Sequence, residues 1–385
     1  MDNSTNLFLY QLVGTWGQLL FPRPWKEFRI WYDTHKSKNL KPFLEGMVTT
    51  GWYRRSKERI WTPWFIKFVQ SKGYFNLYTH FINAQALSVS HRDIGVNTRK
   101  EAGPDSDLIE SESSFAVKSW EMKPTKHLKR YNYCFQEVIQ WRLVKNIHDM
   151  YKVVPSLHIN GTIILVNAIG YPEVVIRNWL CQFSKFSIKN YLILLENPAL
   201  EKEFMLRGHA VMHIDLAKHG FHNYDIATKR NLIIAQAITW VLQVGYNVWV
   251  TSVDTLWMTN PMPGISVSDA DMLGFADRKG ISTELFYIRT SKETLSVWEK
   301  LYIDGLHIPT TSVGQILSKD ATIFKPLPAT LTMDILMYNT NHTDGAQSRV
   351  TLLTGIQDSD ICTSLLKLLG FWMLDDELSC TGVYC

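Results

Sequence analysis

From about residue 156 the apolar positions settle into short β-branched runs alternating with longer stretches of helical period. Thr162-Ile163-Ile164-Leu165-Val166 is a continuous apolar run, the pattern of a strand buried on both faces. Pro172 suits a first helical turn, and Glu173 to Phe183 then places Val175, Trp179 and Leu180 on one face. Tyr191 to Leu195 and Ala210 to Ile214 predict two further strands. Asp225 is placed to cap a helix in which Ile234, Ala237, Ile238 and Val241 fall at i, i+3, i+4 and i+7, and Gly245 is placed to end it. Tyr246 to Val250 then predicts a central strand, with Ser252 and Asp254 just past its carboxyl end. Repeated βαβ units imply an α/β fold, a mostly parallel sheet with helices on both faces. Ligands of open α/β sheets bind at the carboxyl edge of the strands, so Asp254 stands where a ligand is expected.

Ahead of this region the pattern differs. Leu7 to Phe21 is apolar but interrupted by Gln11, Thr15 and Gln18; it is too short for a membrane span and lacks a preceding basic region. It predicts an amphipathic helix packed on the protein and no convincing transmembrane segment. Trp16, Trp25, Trp31, Trp52, Trp61 and Trp64 follow among basic residues. Their irregular spacing predicts a mainly helical, Trp-rich appendage that buries its rings, with carbohydrate contact as the alternative. Residues 97–126 are rich in Asn, Asp, Ser, Gly and Pro, which is loop chemistry. The expected organisation is an appendage and loop over 1–126 and an α/β domain over 127–385.

Composition narrows the function classes. With 46% hydrophobic and 20% charged residues among 385, the chain is globular and has a core. A net charge of +4, from 40 basic and 36 acidic residues, gives no nucleic-acid-binding stripe. The sequence has no Gly-x-x-x-x-Gly-Lys, Gly-x-Gly-x-x-Gly, His-Glu-x-x-His or Gly-x-Ser-x-Gly motif, which removes the main kinase, dinucleotide, zinc-protease and serine-hydrolase signatures. Five cysteines without a C-x-x-C pair argue against a zinc ribbon, and the odd count leaves at least one thiol unpaired. Cys362, Cys380 and Cys385 lie near the C-terminus, where they could supply a disulfide. Sequons at Asn3, Asn160 and Asn341 point the same way, toward the secretory pathway.

Gly245-Tyr246-Asn247-Val248 followed by Ser252-Val253-Asp254-Thr255-Leu256-Trp257-Met258-Thr259-Asn260-Pro261 resembles the nucleotide-diphospho-sugar transferases that include glycosyltransferase family 77. Asp269-Ala270-Asp271-Met272, Asp277, Phe286-Tyr287-Ile288-Arg289-Thr290, Trp298, Gln315, Leu327-Pro328 and Leu369-Gly370-Phe371-Trp372 continue the resemblance, over roughly residues 156–380. The resemblance implies a GT-A, Rossmann-like fold and a UDP-sugar donor. It further implies Mn²⁺ or Mg²⁺ and transfer with retention; the expected acceptor is a glycan or glycoprotein hydroxyl and the expected setting the Golgi lumen, with the cytoplasm as the alternative. A hard dication bridging two phosphates would stabilise the departing nucleoside diphosphate.

By that resemblance Asp254 is a metal ligand and His342 an added one, or else an exposed loop residue within the Asn341 sequon, while Ser252 is a donor contact where the family has the first Asp of Asp-x-Asp. Asp277 is placed either to orient donor sugar or acceptor hydroxyl or simply to make a turn, and Gln315 either to contact acceptor or to stand as a hydrogen-bonded amide on a helix surface. Lys229 and Arg230, early in the helix before the donor strand, are suited to a diphosphate, Arg as a bidentate fork and Lys as a point charge, with solvated cations at a helix start as the alternative. Asp269 and Asp271 are a fallback metal pair, otherwise a loop cap. His209, His213, His219 and His222 suggest a metal cluster by count alone, and their spacing favours surface positions. The family's small-residue turn before the Phe-Tyr-Ile-Arg strand is Ser282-Thr283-Glu284 here, and Gly314 replaces the Asp before Gln315. With Ser252, these departures set an alternative: a sugar-nucleotide or glycan-binding homologue that has lost turnover.

Overall fold

The computed structural model describes residues 7–14, 18–80, 86, 88, 105, 107–108, 124–216, 226–257, 260, 271–277, 280–307, 324–326, 332–334, 350–352 and 359–385. The chain forms two compact units: Met1–Ile139 with Thr381–Val383 and Cys385, and Gln140–Cys380 with Tyr384.

The smaller unit contains β1 (Leu7–Tyr10), α1 (Pro22–Ser37), α2 (Val48–Ser56), α3 (Thr62–Lys72), β2 (Asn76–Thr79) and β3 (Arg130–Tyr131). Among the described residues of Leu7 to Phe21 the expected helix is not formed: Leu7–Tyr10 is a strand, antiparallel to β2 and parallel to β3. Four consecutive large apolar residues satisfy either period, and strand partners distant in sequence decide the outcome. The Trp-rich block is a core as expected, with Phe28, Trp31, Tyr53, Trp64 and Phe68 buried. Phe28 and Phe65 meet edge to face with centroids 4.9 Å apart. Prolines at the starts of α1 and α3 sit where a missing N–H costs no helical hydrogen bond. Within this unit Cys134 is bonded to Cys385.

The larger unit runs β4 (Leu143–Val144), α4 (Ile147–Val153), β5 (Thr162–Asn167), α5 (Glu173–Lys185), β6 (Tyr191–Leu195), α6 (Pro198–Leu206), β7 (Val211–His213), α7 (Ile226–Val244) and β8 (Asn247–Ser252). It continues through β9 (Thr255–Trp257), β10 (Met272–Asp277), β11 (Gly280–Ile288), α8 (Lys292–His307), β12 (Phe324–Pro326), β13 (Thr332–Asp334), β14 (Val350–Leu352) and α9 (Ser359–Leu368). Eight strands form one sheet in the order β12-β10-β11-β8-β5-β6-β7-β4. All neighbours are parallel except β10 with β11 and β11 with β8, so the expected α/β, mostly parallel architecture is present. β9, β14 and β13 form a separate small sheet.

Alternation along the strands divides the core. Ile164, Val166, Ile193 and Trp249 point to one face and pack with Val175, Trp179 and Phe183 of α5 and Phe204 of α6. Ile163, Leu165, Leu192 and Val248 point to the other and pack with Met150 of α4, Ile234 and Ile238 of α7 and Trp298 of α8. Helices therefore cover both faces. α7 ends as its sequence requires. Gly245 adopts φ +93°, the Gly245 N–H bonds the Leu242 carbonyl at 2.9 Å and the Tyr246 N–H the Val241 carbonyl at 3.2 Å. That pattern is a Schellman stop, and it delivers the chain directly into β8.

Two local expectations are corrected. Ser252 is the last residue of β8 rather than lying past it, because its pairing with Asn167 of β5 extends the ladder. Ser282 to Glu284 is strand, not turn: it lies within β11, at the register shift that interrupts the pairing of β11 with β10. Cys380 is bonded to Cys181, and Cys362 is a free, buried thiol. Two disulfides suit an oxidising compartment such as the secretory pathway. Among the described residues no helix is long and apolar enough to cross a membrane.

Candidate functional site

The carboxyl ends of β5, β6 and β8 lie side by side, since Asn167 pairs with both Leu194 and Ser252. The segment after β8 is drawn back to this rim by the Val253 N–H, which bonds the Asn167 carbonyl at 3.2 Å. Val253 and Asp254 form a two-residue turn into β9. Trp257 anchors that strand: it is buried, stands 4.8 Å from the Phe183 ring, and donates its indole N–H to Thr251 Oγ1 at 3.3 Å.

Asp254 is only 6% exposed, yet both carboxylate oxygens are engaged by hydroxyls. The Ser252 hydroxyl donates to Oδ1, and the Tyr171 hydroxyl donates to Oδ2 at 3.1 Å. Thr255 Oγ1 lies 3.3 Å from Ser252 Oγ and continues the hydroxyl chain. The two donors fix the carboxylate plane, and each oxygen keeps a further lone pair.

Tyr171 arrives from the loop between β5 and α5. Asn167 Oδ1 accepts the Ile169 N–H at 3.2 Å, and the Gly170 N–H donates to Glu196 Oε1 at 3.1 Å, beside the end of β6. Gly170 has φ +72°, and a Cβ there would fall 1.7 Å from Arg230 Nη2. Only glycine lets the Arg230 guanidinium lie against this loop. Arg230 Nε is buried and has no hydrogen-bond partner among the described residues. An unpaired guanidinium N–H next to a glycine turn is a donor suited to an anion.

Of the residues expected from sequence, the structure brings Ser252 and Asp254 into direct contact and puts Arg230 against the loop that carries Tyr171. Lys229 precedes Arg230 on α7 and is half-buried. Asp277 ends β10, with its side chain outside the described residues. Gln315, His342 and Asp269 also lie outside the described residues. Asp271 holds the start of β10, its carbonyl accepting the Arg289 N–H at 2.8 Å.

Of the four histidines expected at surface positions, His209 and His213 are described, and neither is a free surface group. His209 is bonded to the Tyr191 hydroxyl at 2.7 Å, and burial pushes its imidazole down to about 3, so it is neutral. His213 pairs with Glu201 at 2.7 Å. His219 and His222 lie outside the described residues. No cluster of three or more metal-ligating side chains occurs among the described residues. Sequence reasoning alone misses Tyr171 and Gly170. The signal that finds them is the Asn-Ala-Ile-Gly-Tyr-Pro turn, which directly follows a strand that must neighbour β8. Cys362 faces the same region: burial first, and the Asp254 charge second, push its thiol up to about 11.

A hard carboxylate flanked by hydroxyls fits a hard divalent cation such as Mg²⁺ or Mn²⁺. Such ions are commonly held by one or two carboxylates, with substrate phosphates and water completing the shell.

No curated protein matches the chain. Among solved structures, the galactosyltransferase LgtC, crystallised with donor and acceptor sugar analogs, is 12% identical with a TM-score of 0.37, covering 56% of this chain and 98% of its own. A glycosyltransferase involved in glycosylation of the major capsid of PBCV-1 is 12% identical with a TM-score of 0.35, covering 54% and 98%. Mouse xyloside xylosyltransferase 1 is 9% identical with a TM-score of 0.34, covering 51% and 99%. Residues 226–322, which contain α7, β8 and the Asp254 turn, match the family described as nucleotide-diphospho-sugar transferase.

Proposed function

We propose that the protein is a glycosyltransferase of the GT-A type that takes a UDP-sugar as donor and passes the sugar to a hydroxyl of a glycan or glycoprotein. The observation that carries this reading is the buried Asp254 carboxylate at the carboxyl rim of an inner strand, clamped by the Tyr171 and Ser252 hydroxyls. In this reading Asp254 is the protein ligand of Mn²⁺ or Mg²⁺, which would supply charge stabilisation to the leaving diphosphate. Arg230 binds diphosphate oxygens, Ser252 and Tyr171 orient the carboxylate, and Lys229 adds positive charge. Asp277 and Gln315 are assigned to donor-sugar and acceptor positioning, and His342 to a second ligand. Retention of configuration and a Golgi lumenal setting belong to the same reading.

Titration of UDP with and without Mn²⁺, followed by hydrolysis assays over a panel of UDP-sugars, tests it. Metal-dependent UDP binding that disappears in Asp254→Ala supports the assignment, and unchanged binding in that variant discards it. A second reading, a sugar-nucleotide-binding homologue without turnover, is favoured by one observation: the neutral Ser252 stands where the family carries an acid. UDP binding without hydrolysis of any donor would select it.

A further inference from the structure

The smaller unit holds a cavity of about 650 Å³ that the donor chemistry does not use. It is bounded by α1, α3, β2 and the segment Gln18 to Phe21, and its wall is aromatic, with Trp25, Phe65, Phe68, Tyr74 and Tyr78 among the lining side chains. That size falls in the range of small-molecule sites and is large enough for a disaccharide.

Most polar groups around the cavity are already committed. The Tyr78 hydroxyl accepts the Gly14 N–H at 2.8 Å and donates to the Leu12 carbonyl at 2.9 Å. The Tyr74 hydroxyl donates to Glu27 at 2.5 Å, and the Asn76 amide donates to the Tyr10, Gln11 and Leu12 carbonyls. One group differs: Gln18 lines the cavity, and its Oε1 is buried without a hydrogen-bond partner among the described residues. Buried acceptors are rarely left unmet, so this one calls for a donor from a ligand. Phe21, 62% exposed, lines the same cavity and leaves it an accessible edge.

Ring faces together with an unmet acceptor fit a molecule that has apolar C–H faces and hydroxyl donors at once. A pyranose has both. An acyl chain would fill the aromatic space but leave the Gln18 acceptor dehydrated and unpaired, which counts against it.

We propose that this cavity is a second carbohydrate site, binding one or two sugar units by stacking on its aromatic wall and by a hydroxyl donated to Gln18 Oε1. That the bound sugar is part of the acceptor or product glycan rests on the transferase reading above; saccharide binding itself does not. A glycan held on the same chain as the donor site raises its effective concentration for transfer without any new contact at that site.

The test is calorimetric titration of the full chain with cellobiose, lactose, xylobiose and N,N′-diacetylchitobiose, and separately with myristate. At least one disaccharide binds saturably. Gln18→Leu, which keeps the side-chain volume and removes the acceptor, weakens it by about tenfold, as loss of a buried hydrogen bond does. Phe21→Ala, a change outside the core, weakens it too and carries the test if Gln18→Leu does not fold. UDP binding is unchanged in both variants. Absence of binding by all four disaccharides, binding indifferent to both substitutions, or myristate binding that survives Gln18→Leu where no sugar binds, each overturns the proposal. Sugar binding in a chain that binds no UDP would leave this site standing while removing the transferase reading.

Discussion

The Tyr171 hydroxyl, from the loop after β5, hydrogen-bonds Asp254 Oδ2 at 3.1 Å across the end of the sheet, joining two segments 83 residues apart. A neutral hydroxyl donated to a buried carboxylate fixes where its remaining lone pairs point. Tyr171→Phe removes that donor and little volume. UDP binding in the presence of Mn²⁺ is expected to weaken by about tenfold, in keeping with hydrogen bonds to charged groups worth about 1.5–3 kcal/mol. The melting temperature should move by only a few degrees, as estimated from the same energy. Equal affinity in mutant and wild type would show that Asp254 does not depend on this contact.

Ser252 poses a sharper question, since its hydroxyl touches Asp254 Oδ1 and it is 1% exposed. Replacing it by Asp sets two carboxylates against each other in a buried place, where like charges disfavour ionisation of both. Ser252→Asp is therefore expected to unfold at lower temperature in EDTA and to recover in millimolar Mn²⁺, with a larger metal-induced rise than wild type shows. Thermal unfolding with and without the cation measures this. A variant whose melting temperature ignores Mn²⁺ would remove the dication from the site.

The sheet is readable from the sequence because its signals are local. Thr162 to Val166, Tyr191 to Leu195 and the Gly245 stop each carry their pattern within a few residues, and parallel order follows from the intervening helices. β1 is not readable, because what makes Leu7–Tyr10 a strand is Asn76–Thr79, far along the chain. The disulfide partners lie 199 and 251 residues apart, and no spacing rule reaches that far. In the site, Asp254 and Ser252 are visible as polar residues at a strand end. Tyr171 is not, since its role exists only once β5 and β8 are neighbours.

Gly170 and Arg230 form a steric pair that separates backbone from charge. With φ +72° at residue 170 and only 1.7 Å between the place an added methyl carbon would occupy and Arg230 Nη2, Gly170→Ala carries both a backbone penalty and a clash. The backbone share alone is about 1–2 kcal/mol. The variant is expected to lose stability and UDP affinity together. Adding Arg230→Ala should restore part of the stability, because the clash is gone, but none of the affinity, because the guanidinium is gone too. Chemical denaturation and UDP titration of the single and double variants check both halves; restored affinity in the double variant would exclude Arg230 from the anion site.

Acid should weaken the larger unit in two stages. Burial, aided by Arg207 and Arg142, depresses His209 from 6.5 to about 3, so the folded state binds fewer protons than the unfolded one between those values. The stability linked to His209 is full above pH 6.5 and declines as pH falls toward 3. The Arg177 hydrogen bond, with Arg207 beside it, lowers Glu203 from 4.5 to about 2, and its share is lost over that lower window. Denaturant midpoints measured from about pH 8 to about pH 2, which spans both linkage windows, should fall in each. Glu203→Gln should flatten only the lower one, and His209→Phe only the upper.

The five cysteines divide into two disulfides and one buried thiol, Cys362, whose proton is held by burial and the nearby Asp254 charge up to about 11. Reactivity belongs to the thiolate, so at about pH 8 the native chain should resist a maleimide, whereas chain unfolded without reductant should take up one label. Each disulfide closes a loop of about 200 residues or more, and the chain-entropy relation assigns such a cross-link about 5 kcal/mol at most. Reduction should therefore lower the denaturation midpoint steeply, and the fully reduced, unfolded chain should take up five labels. Intact mass spectrometry after labelling counts them directly. A native chain that reacts at once with the maleimide would place Cys362 in water and away from the packed base of α9, contrary to its burial in the same core as Leu366 and Trp257.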